Sequence, residues 1–253
     1  MTLRDDLGAP VDLPSPPQRV VSLVPSLTEA LAATCPDTLV GATDWCTHPA
    51  DLDVTRVRGT KNPDLVAIAA LSPDLVVANK EENRELDVRR LRERGAQVWV
   101  TDIEDVPSAL ASMRRLVVEA LRQPVPGWLD RADDLWGGDP PSPRGRVAVP
   151  IWRDPWMAVG PRTYTTDLLT RLGWTNALAG PDADPDDRYP HVDLTDLDRP
   201  DIDLVLLPDE PYEFTSDDGP EAFEHVPTRL VSGRLLTWYG PAMIEAHALR
   251  DAR

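Results

Sequence analysis

The sequence predicts an α/β protein built as two lobes, each around a parallel sheet. Short valine-rich apolar runs alternate with segments of helical periodicity, polar loops follow the runs, and the plan recurs in the second half of the chain. Arg19-Val20-Val21 recurs as Arg146-Val147-Ala148, and Pro73-Asp74 as Pro200-Asp201, each 127 residues further on. Both pairs open an apolar strand followed by a polar loop, which identifies a repeat. The expected layout is an extended arm over 1–18, a first lobe over 19–104, a helical connecting segment over 105–136, a linker over 137–145 and a second lobe over 146–253.

The arm ends in Pro14-Ser15-Pro16-Pro17. Arg19 to Val24 reads as the first buried strand, and Ser26 with Glu29 three residues on reads as a capping box that opens a helix. Thr38 to Thr43 is a second strand, followed by the loop Asp44-Trp45-Cys46-Thr47-His48-Pro49. Asn62 is expected to cap a short helix, with Pro63 at its first position and Leu65, Ile68, Ala69 and Leu71 inward, stopped by Ser72-Pro73. Asp74 to Ala78 is a buried strand ending at Asn79. The polar run Asn79-Lys80-Glu81-Glu82-Asn83 therefore falls at the carboxyl end of a strand, where open α/β sheets place their ligands.

A helix over Glu81 to Arg94, closed by Gly95, leads to a strand over Gln97 to Thr101. Pro107 to Leu121 is helical, Pro124 and Pro126 interrupt, and a further helix covers Trp128 to Trp136. Gly137 to Gly145 is the clearest linker. In the second half, Ile151 to Met157 follows the first strand, Thr166 is expected to cap a helix reaching Leu172, and Leu204 to Leu207 is a strand leading into Pro208-Asp209-Glu210-Pro211-Tyr212. A last strand near Leu235-Leu236 precedes Trp238-Tyr239-Gly240-Pro241 and a terminal helix.

A net charge of −17 points away from nucleic acid, since binding phosphates requires a basic face. The Arg89 to Arg94 cluster reads as the solvated side of a helix. No run of 18 apolar residues offers a membrane span. Met1 to Gly8 lacks a basic stretch followed by an apolar run, which predicts a chain that stays in the cytoplasm. Cys35 and Cys46 are expected as free thiols.

Trp45, Trp152, Trp156 and Trp238 fall at strand ends or in the loops after them, in both halves. Together with Tyr189, Tyr212 and Tyr239 they predict an aromatic cleft for a flat or bulky ligand. Polar groups in the same loops, Lys61, Asn62, Asn79, Lys80, Glu81, Glu82, Asn83, Arg153, Arg188 and Glu210, are candidates for orienting it. Cys46 and His48 offer too few ligands for a metal, and the chain has no G-x-S-x-G elbow, glycine-rich phosphate loop or H-E-x-x-H motif. No catalytic residue, metal ligand or resident cofactor is therefore assigned.

Four stretches of the first half resemble the helical-backbone, cobalamin and iron-siderophore type of periplasmic solute-binding proteins: Arg19 to Glu29, Leu39 to Asp44, Arg58 to Pro63, and Leu71 to Val77. In the second half Ile151 to Met157, Arg188 to Val192, Glu210-Pro211-Tyr212 and Thr237 to Gly240 look like a signal-less branch of that superfamily. The resemblance implies two α/β lobes joined by a long connecting helix, with the ligand between them and its metal held by a chelator. It matches Trp45 to an aromatic that packs on the corrin in cobalamin binders. It also implies that Trp152 to Met157, Arg188-Tyr189 and Trp238-Tyr239 line the opposite wall.

Transport members of that family dock on a permease through one glutamate per lobe, and Val66 and Thr195 stand at the matching positions. The expected function is a non-enzymatic carrier or sensor for a cobalamin-like ligand or an iron-siderophore type chelate. Two alternatives stand beside it: an exported substrate-binding component of an ABC transporter, and an enzyme on the same scaffold using Lys80, Glu81 and Glu82.

Overall fold

A computed structural model describes residues 3–250. The chain divides into two compact units. The first takes the described residues up to Ile103, Pro107–Asp134 and Tyr239–Pro241. The second takes Glu104–Val106, Leu135–Trp238 and the described residues from Ala242 on.

The first unit is built on a five-stranded parallel sheet in the order Thr55–Arg56, Leu39–Ala42, Val20–Ser22, Leu75–Asn79, Val98–Thr101. Every residue of the Val20–Ser22 and Leu75–Asn79 strands is buried, as for central strands covered on both faces. Val21, Val76, Ala78 and Val98 join Ile68 and Leu91 from the flanking helices in one core.

Several helix starts differ from expectation. The first helix runs Pro25–Thr34 with Val24 at its N-cap and no side-chain cap; Ser26 and Glu29 are buried within it instead of forming a capping box. Proline at the first position supplies the helical φ and needs no hydrogen-bond acceptor, so the start shifts onto it. The helix predicted to begin at Asn62 is capped by Asp64, whose Oδ1 accepts from the amides of Val66 and Ala67 at 3.0 Å, and spans Leu65–Ala70. Asn62-Pro63 pairs instead with Arg58-Gly59 in a short antiparallel hairpin. The next helix is Glu85–Glu93, because residues 80–83 are taken up by a side-chain-stabilised turn; Gly95 follows at φ +87°, as a left-handed helix end requires.

Residues in the expected arm also form structure. Leu3–Arg4 pairs antiparallel with Pro10–Val11, Val11 and Leu13 are buried, and Arg92 donates to the fully buried Asp5 carboxylate at 2.6 Å.

The predicted helical segment runs Val106–Arg115, widens into a π-helical turn over Leu116–Ala120, and is separated by Arg122 (φ +53°) and the Pro124-Val125-Pro126 stretch from a helix over Gly127–Trp136. The prolines remove donors the helix would need.

The second unit repeats the plan in a four-stranded parallel sheet ordered Thr175–Asn176, Arg146–Ala148, Leu204–Pro208, Thr228–Val231. Apart from the edge strand Thr55–Arg56, the two sheets have the same strand order. Thr163, not Thr166, caps the helix Tyr164–Arg171: its Oγ1 accepts from the Thr166 amide at 3.1 Å, while Thr166 Oγ1 donates to Gly160 O. Leu235-Leu236 lies in a helix, Gly233–Thr237, and the last strand is Thr228–Val231. That strand is only partly buried, so its apolar signal is weak, whereas Leu236 is buried against Val147 and Leu169. No helix among the described residues is long and apolar enough to cross a membrane.

Candidate functional site

In each sheet the first strand lies between the second and a later one, the fourth (Leu75–Asn79) in the first sheet and the third (Leu204–Pro208) in the second, so chain connections leave in opposite directions from these two neighbours. Open α/β sheets bind ligands at the carboxyl ends of strands beside such a switch point. In the first unit the switch point falls between Val20–Ser22 and Leu75–Asn79, and in the second between Arg146–Ala148 and Leu204–Pro208.

At the first switch point the loop after Asn79 is locked by amides. Asn79 Oδ1 accepts from the backbone of Glu81 at 2.8 Å and Glu82 at 3.1 Å, while its Nδ2 donates to Thr101 Oγ1 at 3.1 Å. Asn83 Oδ1 accepts from the Asn79 amide, and its Nδ2 donates to Leu23 O and Thr60 O, tying the loop after Leu75–Asn79 to the end of the Val20–Ser22 strand. Asn79 is 3% exposed and fully engaged, so it shapes the loop and is not offered to a ligand. Lys80 pairs on the surface with Asp102 at 2.8 Å, and Lys61 donates to the backbone carbonyl of Glu81.

Glu82 is half-buried. Burial pushes its carboxyl above the usual glutamate range, with Glu81 adding to the rise and Lys61 opposing it. Tyr239 comes to this unit from far along the chain, and its buried phenol lies near the hydroxyls of Ser26 and Thr101. Burial pushes its phenol well above the usual range, reinforced by Glu82.

Trp45 is 66% exposed, in the loop after Leu39–Ala42. Its indole lies against Gly59, and Asn62 sits exposed at the tip of the adjoining hairpin.

At the second switch point Trp152, 44% exposed, meets Tyr212 edge-on with ring centroids 5.5 Å apart. Tyr212 donates its hydroxyl to Asp218 at 2.6 Å, and Arg153 ion-pairs with both Asp218 and Glu221. Trp156 stacks on Phe214 at 5.9 Å under the Arg153 guanidinium, so it belongs to the support beneath this surface. The Glu210 side chain packs along Gly233. Arg188 donates to Glu104 at 3.0 Å, and neighbouring Tyr189 is half-buried.

The structure thus leaves Trp45 and Trp152 with open rings, whereas Trp238 and Tyr239, expected in the aromatic wall, are 6% and 7% exposed. The Trp238 carbonyl accepts from the buried Tyr164 hydroxyl. Sequence reasoning missed Gly59, Ser26, Thr101, Asp218 and Glu221. Asp218 and Glu221 lie in an acid-rich loop that reads as solvated turn, and only Pro220-Glu221 beside Gly219 hinted at a fixed geometry.

Cys46 is fully buried, with the hydroxyls of Thr28 and Thr43 at 3.0 and 3.1 Å from its sulfur, and burial raises its thiol. A thiol held protonated is a poor nucleophile and a poor metal ligand. Both cysteines are free and buried. Among the described residues no group of three His, Cys, Asp or Glu side chains is placed to hold a metal ion.

No protein-family model matches the chain. A vitamin B12-binding protein of Salmonella paratyphi A is 28% identical over 179 residues, covering 68% of this chain and 66% of the relative. The chain spans 32% to 66% of the length of the curated relatives compared. The periplasmic vitamin B12 binding protein BtuF of Vibrio cholerae superposes with a TM-score of 0.74 at 18% identity, covering 93% of this chain and 95% of that one. The periplasmic heme-binding protein BhuT, in complex with two hemes, gives a TM-score of 0.68 at 23% identity, with 92% and 98% covered. At such identities these structures establish the fold, two α/β lobes with parallel sheets.

Proposed function

We propose that this chain, a member of the helical-backbone superfamily of solute-binding proteins, binds a cobalamin-like ligand or another chelated metal. Loops at the carboxyl edge of a sheet supply the contacts. The observation that carries this reading is a large aromatic ring left open in the switch-point region of each unit: Trp45 beside Gly59, and Trp152 beside Tyr212. Isolated large aromatics at that exposure suit a flat ligand that covers them. The names of the relatives, vitamin B12-binding and heme-binding, support the same class of ligand. Those names are also of binding proteins, which favours a non-enzymatic role.

Within that reading the chain acts as a cytoplasmic carrier or sensor. Val66 supports this: it is 72% exposed on the helix where the resemblance puts a permease-docking acid, and it cannot supply the charge. The second reading, an exported substrate-binding component of an ABC transporter, is favoured by the periplasmic relatives. Labelling the protein in its host and assaying its compartment separates the two.

Titrating the purified protein with cyanocobalamin and with hemin while following tryptophan fluorescence tests the ligand class. Saturable quenching by one of them, lost in Trp45→Ala, is the expected result. Absence of saturable quenching by both overturns it.

A further inference from the structure

We propose that the turn Asp5-Asp6-Leu7-Gly8 of the N-terminal arm is a clasp against self-association. It seals the outer edge of the first sheet, which would otherwise pair with the same edge of a second copy of this chain. Val98–Thr101 is the last strand of that sheet and runs parallel to Leu75–Asn79. The Gln97 and Thr101 carbonyls accept from the amides of Val76 and Lys80. By strand alternation the N–H and C=O groups of Val98, Val100 and Asp102 therefore point away from the sheet.

Each outward group from the Val98 carbonyl to the Asp102 amide is taken, and none of them by a strand. The Val98 carbonyl accepts from Arg92 at 3.2 Å, and the Val100 carbonyl from the Asp6 amide at 3.1 Å. The Val100 amide donates to Asp5 Oδ2 at 3.3 Å, and the Asp102 amide to Asp6 Oδ2 at 3.2 Å. Two carboxylates thus stand where the carbonyls of a neighbouring strand would be. The clasp is itself held in place: Asp5 Oδ1 accepts from the amides of Leu7 and Ala9, which closes the turn, and Arg92 donates to Oδ2. Ser112 and Arg115, on the helix Val106–Arg115, donate to Asp6, and the Arg115 guanidinium lies 5.2 Å from the centre of the Trp99 ring. Bonds to an ionised carboxylate are stronger than those between neutral groups.

The need for a cover follows from the sequence of the edge. Gln97-Val98-Trp99-Val100-Thr101 holds no charge, proline or glycine and is rich in strand formers, a composition that pairs edge to edge. A second copy suits it as partner, because a two-fold axis would set two such strands antiparallel with no like charges opposed. The corresponding edge strand of the second sheet, Thr228–Val231, contains Arg229, a charge of the sort that natural edges use against pairing.

The test uses the full chain as wild type, Asp6→Ala, Asp6→Asn and the double variant Asp5→Ala with Asp6→Ala. Amide hydrogen exchange by NMR in dilute solution reads Val100 and Asp102 separately from Trp99 and Thr101, whose amides face Leu75–Asn79. Light scattering after size exclusion reads the mass over a range of concentrations. In the double variant, exchange at Val100 and Asp102 is expected to rise at least about 10-fold, the equivalent of one hydrogen bond, with Trp99 and Thr101 changed by less than about 3-fold. Its mass should grow beyond that of wild type as concentration rises. Asp6→Asn, which keeps an oxygen acceptor for the Asp102 amide, is expected to hold the wild-type mass. Asp6→Ala leaves the Asp5 turn closed and should speed exchange at Asp102 alone, so the exchange test stands even where the double variant does not fold. Unchanged exchange at Asp102 in both alanine variants overturns the clasp. An equal rise at Trp99 and Thr101 shows that the carboxylates hold the strand itself, and overturns their role as an edge cover. Faster exchange with the wild-type mass at every concentration overturns the second copy as what the clasp excludes.

Discussion

The indole of Trp45 lies so close over Gly59 that a Cβ on that glycine would stand 3.1 Å from Nε1 and 2.6 Å from Asn62 Oδ1. Glycine here is required by close approach, not by backbone conformation. Gly59→Ala is expected to push the ring off its seat and shift its fluorescence. It should also weaken ligand quenching roughly 3- to 10-fold by loss of preorganisation. Fluorescence spectra and titration of the variant check this; an unmoved spectrum with unchanged affinity would show that the glycine does not seat the ring.

Asn79 and Lys80 are neighbours with opposite roles. Asn79→Ala removes a buried amide that bridges Thr101 and the backbone of Glu81 and Glu82, and should destabilise the protein by about 1–3 kcal/mol. Lys80→Ala breaks an exposed pair with Asp102 and should change stability by no more than about 1 kcal/mol. Urea unfolding of both variants compares them directly.

Asp198 in the second unit carries a pH dependence. Burial alone would raise its carboxyl, but hydrogen bonds from the His225 ring and the amides of Glu224, Val226 and His225 outweigh burial and hold it well below the usual range. A folded value below the unfolded one gives stability that is complete above the unfolded range, about pH 4, and is lost as pH falls. Asp198→Ala should therefore cost about 1–3 kcal/mol near neutrality, with the deficit shrinking in acid. His225 runs the other way: its bond to Asp198 raises it, so its contribution is present below about pH 6.5 and fades as pH rises through the folded value. Urea unfolding at a series of pH values checks the first, and NMR titration of His225 with and without Asp198 checks the second.

Tyr212 donates to Asp218 Oδ2, and that bond, ahead of burial, raises its phenol above the usual range. Asp218→Asn should bring the phenol back down. Spectrophotometric titration of tyrosinate in the two proteins reads the difference, and Trp152 fluorescence should change with it because the rings touch. Coincident titration curves would rule the bond out.

Much of the fold was legible because it rests on patterns that short windows contain. Val20 and Leu75 begin buried parallel strands, whose continuous apolar runs need no knowledge of the partner strand. Boundaries were less legible where two residues compete for one role: Pro25 against Ser26 at a helix start, Asn62 against Asp64 at a cap, Thr163 against Thr166. Leu235-Leu236 reads equally as strand or helix, since two adjacent apolar residues fit either period. At the candidate site Trp45 and Trp152 could be found by their positions in loops after strands. Asn79, equally prominent in the sequence, turned out to be consumed by the Thr101 side chain, from a strand that its own neighbourhood does not mention.

By itself the sequence determined the α/β class, the doubled plan and the loops that carry polar and aromatic groups, because these follow from local periodicity and from the offset between the halves. Tertiary structure decided which groups remain available. Trp238 and Tyr239 are buried, Lys61 and Lys80 are spent on a carbonyl and a carboxylate, and Glu82 keeps a half-buried carboxyl among engaged neighbours. Burial and hydrogen-bond pairing are set by residues distant in the chain, as Tyr239 is from Ser26 and Thr101, and no local pattern encodes them.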